Sequence, residues 1–243
     1  MRAGERDLLL MVLAATAGSA DGWSYFGIGH AFVANMTGNT VLVGMAVFGH
    51  TGDLVPPLIA VICYLVGVAL AAFLTRNVKA GGRWPRIVFA TLLIEAIVLI
   101  GAQAGWVEIL HSATFDYSLI ELSYNLLLGV VALAVGIQSG AMLQLRIPGI
   151  VTTYITGTWT SLMSGLVRFA SGKPSNPPRD RQTFEERLLM QGAVLAVYFL
   201  AAVLTGWILR NAPSAVGVLP AASALLAAIL GLLHGGEIPA QPL

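Results

Sequence analysis

Residues 32–40 read FVANMTGNT (Phe32-Val33-Ala34-Asn35-Met36-Thr37-Gly38-Asn39-Thr40), a polar interruption in a chain that is otherwise apolar over long distances. The stretch has a counterpart. Residues 151–158 read VTTYITGT, and the pairs Thr37-Gly38 and Thr156-Gly157 stand 119 residues apart. Upstream, Ser19-Ala20-Asp21-Gly22 corresponds to Ile137-Gln138-Ser139-Gly140, with Asp21-Gly22 and Ser139-Gly140 118 residues apart. After each Thr-Gly pair come an amphipathic run, a loop and two long apolar spans. Agreement of order and spacing over a whole half of the chain marks an internal repeat.

Of the 243 residues, 57% are hydrophobic and 10% charged, where a soluble domain carries about 25% charged residues. Residues 54–75 and 188–209 are each free of charge for 22 residues, and roughly 20 apolar residues span a bilayer as a helix. The alternating pattern of an outer-membrane barrel is missing. The fold class is therefore an all-α integral membrane protein. Apolar stretches run approximately over 7–26, 31–48, 54–75, 87–105, 117–145, 150–167, 188–209 and 212–234. Leu8 to Ala17 followed by Gly18-Ser19-Ala20 mimics a signal peptide with its small-residue cleavage site; a retained first span is the preferred reading. A net charge of +1 and the lack of a basic, aromatic-studded patch give no reason to expect a nucleic-acid partner.

The charges set the topology, because cytoplasmic loops hold the excess of Lys and Arg. Eight crossings would place seven basic residues on one side and six on the other, which is no bias. If 31–48 and 150–167 instead enter and leave on one side, then Arg2, Arg6, Arg76, Lys79, Arg83, Arg86, Arg146, Arg168, Lys173, Arg179, Arg181 and Arg187 share a face, and only Arg210 lies opposite. Each half then has three spans plus one broken, re-entrant segment, and the halves are oppositely oriented. The first repeat covers 1–105, with its re-entrant segment at about 27–50. The second covers 106–243, with its re-entrant segment at about 146–170 and a polar cytoplasmic loop at 171–187. Both termini are expected on the cytoplasmic side of a bacterial inner membrane.

Each Thr-Gly pair precedes about ten residues of helical pattern, Val41 to His50 and Trp159 to Arg168, enough for roughly 15 Å or half a bilayer. Thr and Asn suit helix N-caps and Gly permits unusual backbone angles. Two half-helix N-termini near the midplane would offer unpaired N–H groups and positive partial charge to an anion or a polar oxygen. The residues expected to line such a site or pore are Asp21, Asn35, Thr37, Gly38, Asn39, Thr40, Gln138, Ser139, Thr153, Thr156, Gly157 and Thr158; the plainer alternative is that they only cap broken helices. A carboxylate at membrane depth must pair, protonate or face water, so Asp21 and the mid-span Glu95 are candidates for a proton relay, with structural roles as the alternative. Glu121 and Asn125 open a span and suit an entrance. Tyr64, Gln191 and Tyr198 suit contacts between helices, and Trp106 and Trp207 an interfacial aromatic belt.

Enzyme signals are poor. His30, His50, His111 and His234 lack metal-ligand spacing, Ser139 and Ser164 lack a histidine at a fitting depth, and the single Cys63 excludes an internal disulfide. No cofactor or metal is expected. The expected partners are the lipid bilayer and a small solute or ion, and the small residues Ala69, Ala71, Ala72 and Gly192 would also suit a homodimer face.

The stretch around Asp21-Gly22, the run FVANMTGNT, Gly136-Ile137-Gln138 and TTYITG at 152–157 together resemble the YoaK-like family of bacterial membrane proteins, a group classed as a domain of unknown function. The resemblance covers nearly the whole chain, and the FVANMTGNT run is its most specific part. It implies a polytopic protein of the bacterial cytoplasmic membrane and points to no substrate. The second half has Gly157-Thr158 where the first has Gly38-Asn39, so a shared site need not be symmetric. The expected function is a transporter or channel for a small polar or anionic solute, bound where the two half-helices meet, with Asp21 as a coupling or gating carboxylate and proton coupling as one option. The rival readings are a non-transporting assembly, sensor or lipid-interacting protein and, further off, a membrane-embedded hydrolase.

Overall fold

The computed structural model describes residues 3–49, 54–77, 86–112, 116–144, 155–171 and 181–234. Thr153, His50 and most of the loops 76–86 and 171–187 lie outside the described residues. The described elements are helices: α1 (Ala3–Trp23), α2 (Met36–Val47), α3 (Val55–Thr75), α4 (Arg86–His111), α5 (Tyr117–Gln144), α6 (Ile155–Ala170), α7 (Arg181–Asn211) and α8 (Val218–His234). A π-helical turn, Ser24–Gly29, continues α1, and a short 3₁₀ turn, Pro213–Ala215, precedes α8. Helix ends follow local chemistry. α3 starts on Pro56-Pro57, where missing N–H groups do no harm. α5 starts behind Asp116, whose carboxylate accepts from the Ser118 hydroxyl at 2.6 Å and the Ser118 amide at 3.0 Å. These donors hold Asp116 below the usual carboxylate range.

Five of the helices are long and apolar enough to cross a membrane: Val55–Thr75, Arg86–His111, Tyr117–Leu143, Phe184–Asn211 and Pro213–Leu233. α1 has the length, 21 residues, but carries Arg6, Asp7 and Asp21. The surface has the character a bilayer demands. Ile62, Leu65, Val66 and Phe73 on α3 and Leu189, Phe199, Leu200, Val203 and Trp207 on α7 are exposed, while Thr16, Asp21, Asn39, Glu95, Gln138 and Gln191 are buried. Apolar patches of this extent would drive association in water. The chain is a multi-pass membrane protein.

The core is built on close helix crossings. A methyl added at Gly18 of α1 would collide with the Tyr198 carbonyl of α7, and one at Gly22 would press on Ala202 and Thr205. Likewise a methyl at Gly136 of α5 would collide with the Tyr64 carbonyl of α3, and one at Gly140 with Val68 and Ala71. Small residues four apart let two helix backbones touch, the usual device where lipid supplies no hydrophobic drive between helices. Residue numbers rise together in both pairs, so α1 runs parallel to α7 and α3 parallel to α5. Phe89 of α4 lies on Gly231, and Gln103 on Gly217, so α4 and α8 are antiparallel. Thr16 donates to Ser223 at 2.8 Å while Trp23 lies on Gly217, so α1 and α8 are antiparallel as well. α4 and α5 meet beside their short connection, through Trp106 and Tyr124.

Three expectations need correction. α2 starts at Met36, not near Val41, because Asn35 is its N-cap and accepts from the Gly38 amide at 3.2 Å. Thr37, Gly38, Asn39 and Thr40 are therefore the first turn of the helix and not its lead-in. α6 similarly starts at Ile155 and includes Thr156, Gly157 and Thr158. Trp106 is no belt residue. It is buried, its Nε1 donates to the Pro213 carbonyl at 2.8 Å, and its ring stands edge-on to Trp23 at 6.1 Å. Trp207 is exposed, as an interfacial tryptophan must be.

Candidate functional site

The polar residues converge on the break between α1 and α2. α1 loses its regular pitch at Ser24, and the π-helical turn ends at His30, a non-glycine residue with φ +52°. L-residues adopt this left-handed conformation reluctantly, so the neighbourhood must hold it. Tyr25 stacks on Phe32, with centroids 4.7 Å apart and planes 17° apart, and meets His30 edge-on. Beyond the reversal the chain has no helical partners for its N–H groups, and Asp21 supplies them. Its Oδ1 accepts from the Val33 and Ala34 amides, both at 2.7 Å, and its Oδ2 accepts from the Tyr198 hydroxyl of α7. The carboxylate, nine-tenths or more buried, thus faces donors from the break and from a helix of the other half of the chain. Hydrogen bonds to an ionised acceptor contribute about 1.5–3 kcal/mol each, enough to set against the desolvation of one carboxylate.

Asn39 closes the other side. Its Nδ2 donates to the Phe32 carbonyl at 2.6 Å, and its Oδ1 accepts from the Phe32 amide at 2.9 Å. One side chain therefore replaces a pair of backbone partners at a residue with no helix to serve it. Gly38 packs closely here: a Cβ would sit tight against the Phe32 ring and the Asn35 side-chain amide. The Thr40 hydroxyl bonds back to the Met36 carbonyl at 2.9 Å. Asn35, Thr37 and Thr40 are exposed on the first turn of α2.

The remaining candidates lie elsewhere. Gln138 of α5 is buried and donates to the Leu13 carbonyl of α1 at 3.1 Å, two turns, or roughly 12 Å, before Asp21. Ser139 donates to the Val135 carbonyl of its own helix at 3.0 Å. Thr156 and Gly157 are exposed on the first turn of α6, and Thr158 is buried. α2 packs on α3 and α6 on α7, and no packing of similar extent joins α2 to α6 among the described residues. Glu95 is fully buried with both carboxyl oxygens lacking a hydrogen-bond partner among the described residues. Because Trp23 touches Trp106 and α1 and α4 run the same way, Glu95 sits roughly 14 Å along the axis from the level of Asp21. No direct proton transfer joins the two. Among the described residues no cluster of His, Cys, Asp and Glu could hold a metal ion.

Residues 9–232 match the model of the family described as "Protein of unknown function (DUF1275)". The chain belongs to this family. The match takes in the break, both glycine crossings and all of the candidate residues. A curated relative, the UPF0700 transmembrane protein YoaK of Bacillus subtilis (strain 168), is 29% identical over 206 residues, which cover 83% of each chain. Its name agrees with the membrane character of this family member, and the FVANMTGNT run resembles the same group. No solved structure matches the chain.

Sequence reasoning singled out Asp21 and Tyr198 separately but did not pair them. The signal was present in Gly18 and Gly22, whose spacing marks a helix-crossing face next to Asp21. The bonds of Phe32 to Asn39 are made by its backbone and leave no trace in residue type.

Proposed function

We propose that the protein is a membrane transporter or channel for a small polar or anionic solute, built as an inverted repeat of three spans and one re-entrant half-helix per half. The observation that carries this reading is the pair of glycine crossings. Gly18 and Gly22 on Tyr198, Ala202 and Thr205 correspond to Gly136 and Gly140 on Tyr64, Val68 and Ala71, with constant offsets of 118 residues in one helix and 134 in the other. Helix direction supports the re-entrant segments. Were α2 and α6 full crossings, α4 and α8 would run the same way, whereas they are antiparallel. Inverted repeats with broken helices are a common plan of secondary transporters. On this plan both termini face the cytoplasm of a bacterial cell, and the basic loops share that face.

In this reading the first turns of α2 and α6, with Thr37, Thr40, Thr156 and Gly157 outward, meet the solute. Asp21 is the gating or coupling carboxylate, because it ties the α1–α2 break of one half to Tyr198 of the other, and relative motion of the halves must strain that link. No catalytic role is assigned to any residue. Flux in proteoliposomes loaded with small anions and polar solutes tests the proposal, with Asp21→Asn and Thr37→Val compared against wild type. Equal flux through all three would remove these residues from the pathway.

One observation favours a second reading, a non-transporting membrane protein. The polar atoms of Asp21 and Asn39 are engaged by nearby donors and acceptors, as in a purely structural brace. Absence of flux for every solute, with the fold intact, would favour it.

A further inference from the structure

A cavity of about 160 Å³ opens between α6 and α7, away from the Asp21 break and independent of the transport reading. It far exceeds the roughly 15 Å³ that one water needs. Two helical stripes face each other across it: Ser161, Ser164, Gly165 and Arg168 from α6, and Phe184, Arg187, Leu188 and Gln191 from α7. The helices touch at Gly165, where an added Cβ would have to displace the end of the Leu188 side chain. At the inner end the buried Gln191 donates to the Ser161 hydroxyl at 2.8 Å. At the outer end stand the guanidinium groups of Arg168 and Arg187, both exposed, and neither has an ion-pair partner among the described residues. No acidic residue lines the cavity; Glu185 and Glu186 lie on α7 beside it. The outward face of α6, with Trp159, Met163, Leu166 and Phe169 exposed, is fit for lipid tails. With Arg168 in the last turn of α6, the arginine end of the cavity lies where that helix ends.

We infer that this cavity binds a phosphate group, held between Arg168 and Arg187 with the hydroxyls of Ser161 and Ser164 at its inner side. Guanidinium forks match the oxygen spacing of phosphate, two of them balance a charge that water alone would otherwise solvate, and the serine hydroxyls accept or donate as the ester state requires. Anionic phospholipid headgroups and free phosphate both present this chemistry. The position beside a lipid-fit helix face makes the headgroup the source within immediate reach.

The test uses the full chain with two probes. Native mass spectrometry counts phosphatidylglycerol adducts on protein extracted from mixed phosphatidylglycerol and phosphatidylcholine vesicles. Equilibrium binding of radiolabelled inorganic phosphate is measured on the same protein. Arg168→Gln and Arg187→Gln are each expected to weaken binding of one probe about tenfold or more, as loss of a charged hydrogen bond does. Arg210→Gln, at the opposite end of α7, is expected to leave binding unchanged. Loss confined to phosphatidylglycerol assigns the site to a headgroup, and loss confined to inorganic phosphate assigns it to a free anion. If Arg168→Gln and Arg187→Gln proteins of intact helicity bind both probes like wild type, or if Arg210→Gln loses as much, the inference is overturned.

Discussion

The Tyr198 hydroxyl donates to the Asp21 carboxylate, joining α7 to α1 across 177 residues of sequence. The same carboxylate collects the Val33 and Ala34 amides, so one side chain anchors the helix break and fastens it to the opposite half. Replacing Asp21 by Asn turns an amide N–H2 toward some of these donors. Asp21→Asn is expected to lower stability in detergent by about 1–3 kcal/mol, read as a fall in melting temperature. Tyr198→Phe should cost a similar amount. The double variant should lose clearly less than the sum, since groups sharing one hydrogen bond couple by about 0.5–3 kcal/mol. Simple additivity would mean that the two residues act separately.

The glycine crossings predict a matched pair of defects. Gly18→Ala and Gly136→Ala both drive a methyl into a tyrosine backbone carbonyl on the neighbouring helix. Each is expected to destabilise by about 1–3 kcal/mol through overpacking. Gly192→Ala, on α7 with open space around it, should be neutral or stabilising by roughly 0.4–1 kcal/mol. Thermal melting of the three proteins distinguishes them; a Gly136→Ala protein as stable as wild type would remove the equivalence of the two crossings.

Glu95 presents the opposite case, a buried carboxyl whose oxygens find no partner among the described residues. An unpaired buried polar group costs about 1–3 kcal/mol by mutational measures, so Glu95→Met is expected to raise the melting temperature. If the residue serves transport, the same variant loses flux while gaining stability, a combination that packing alone does not produce. A lower melting temperature would mean that Glu95 has a partner that Met cannot replace.

Much of this arrangement is legible in the residues themselves. Charge-free runs of 22 residues can be satisfied in lipid only as helices, and the spacing of Thr37-Gly38 against Thr156-Gly157 is the sequence basis of the proposed repeat. The helix starts differ from the expected ones because Thr, Asn and Ser can act either as caps or within a first turn, and the cap is Asn35, whose side-chain Oδ1 accepts from the Gly38 amide. Trp106 was misread because a tryptophan near a helix end is equally suited to lipid headgroups and to a buried carbonyl such as that of Pro213. The pairing of Asp21 with Tyr198 depends on which distant helices meet, and the arginine-lined cavity on which faces of the consecutive helices α6 and α7 are turned together. That is decided by packing over the whole bundle, and residue types along the chain do not encode it locally.

Sidedness of the two basic loops tests the central claim most directly. In a Cys63→Ala background, single cysteines placed at Asn77, Ser171 and Ser112 are challenged on intact cells with a membrane-impermeant thiol reagent, and again after permeabilisation. Two re-entrant segments predict that Asn77 and Ser171 are shielded until the cells are opened, while Ser112 reacts at once. Labelling of Asn77 and Ser171 on opposite faces would contradict the inverted repeat.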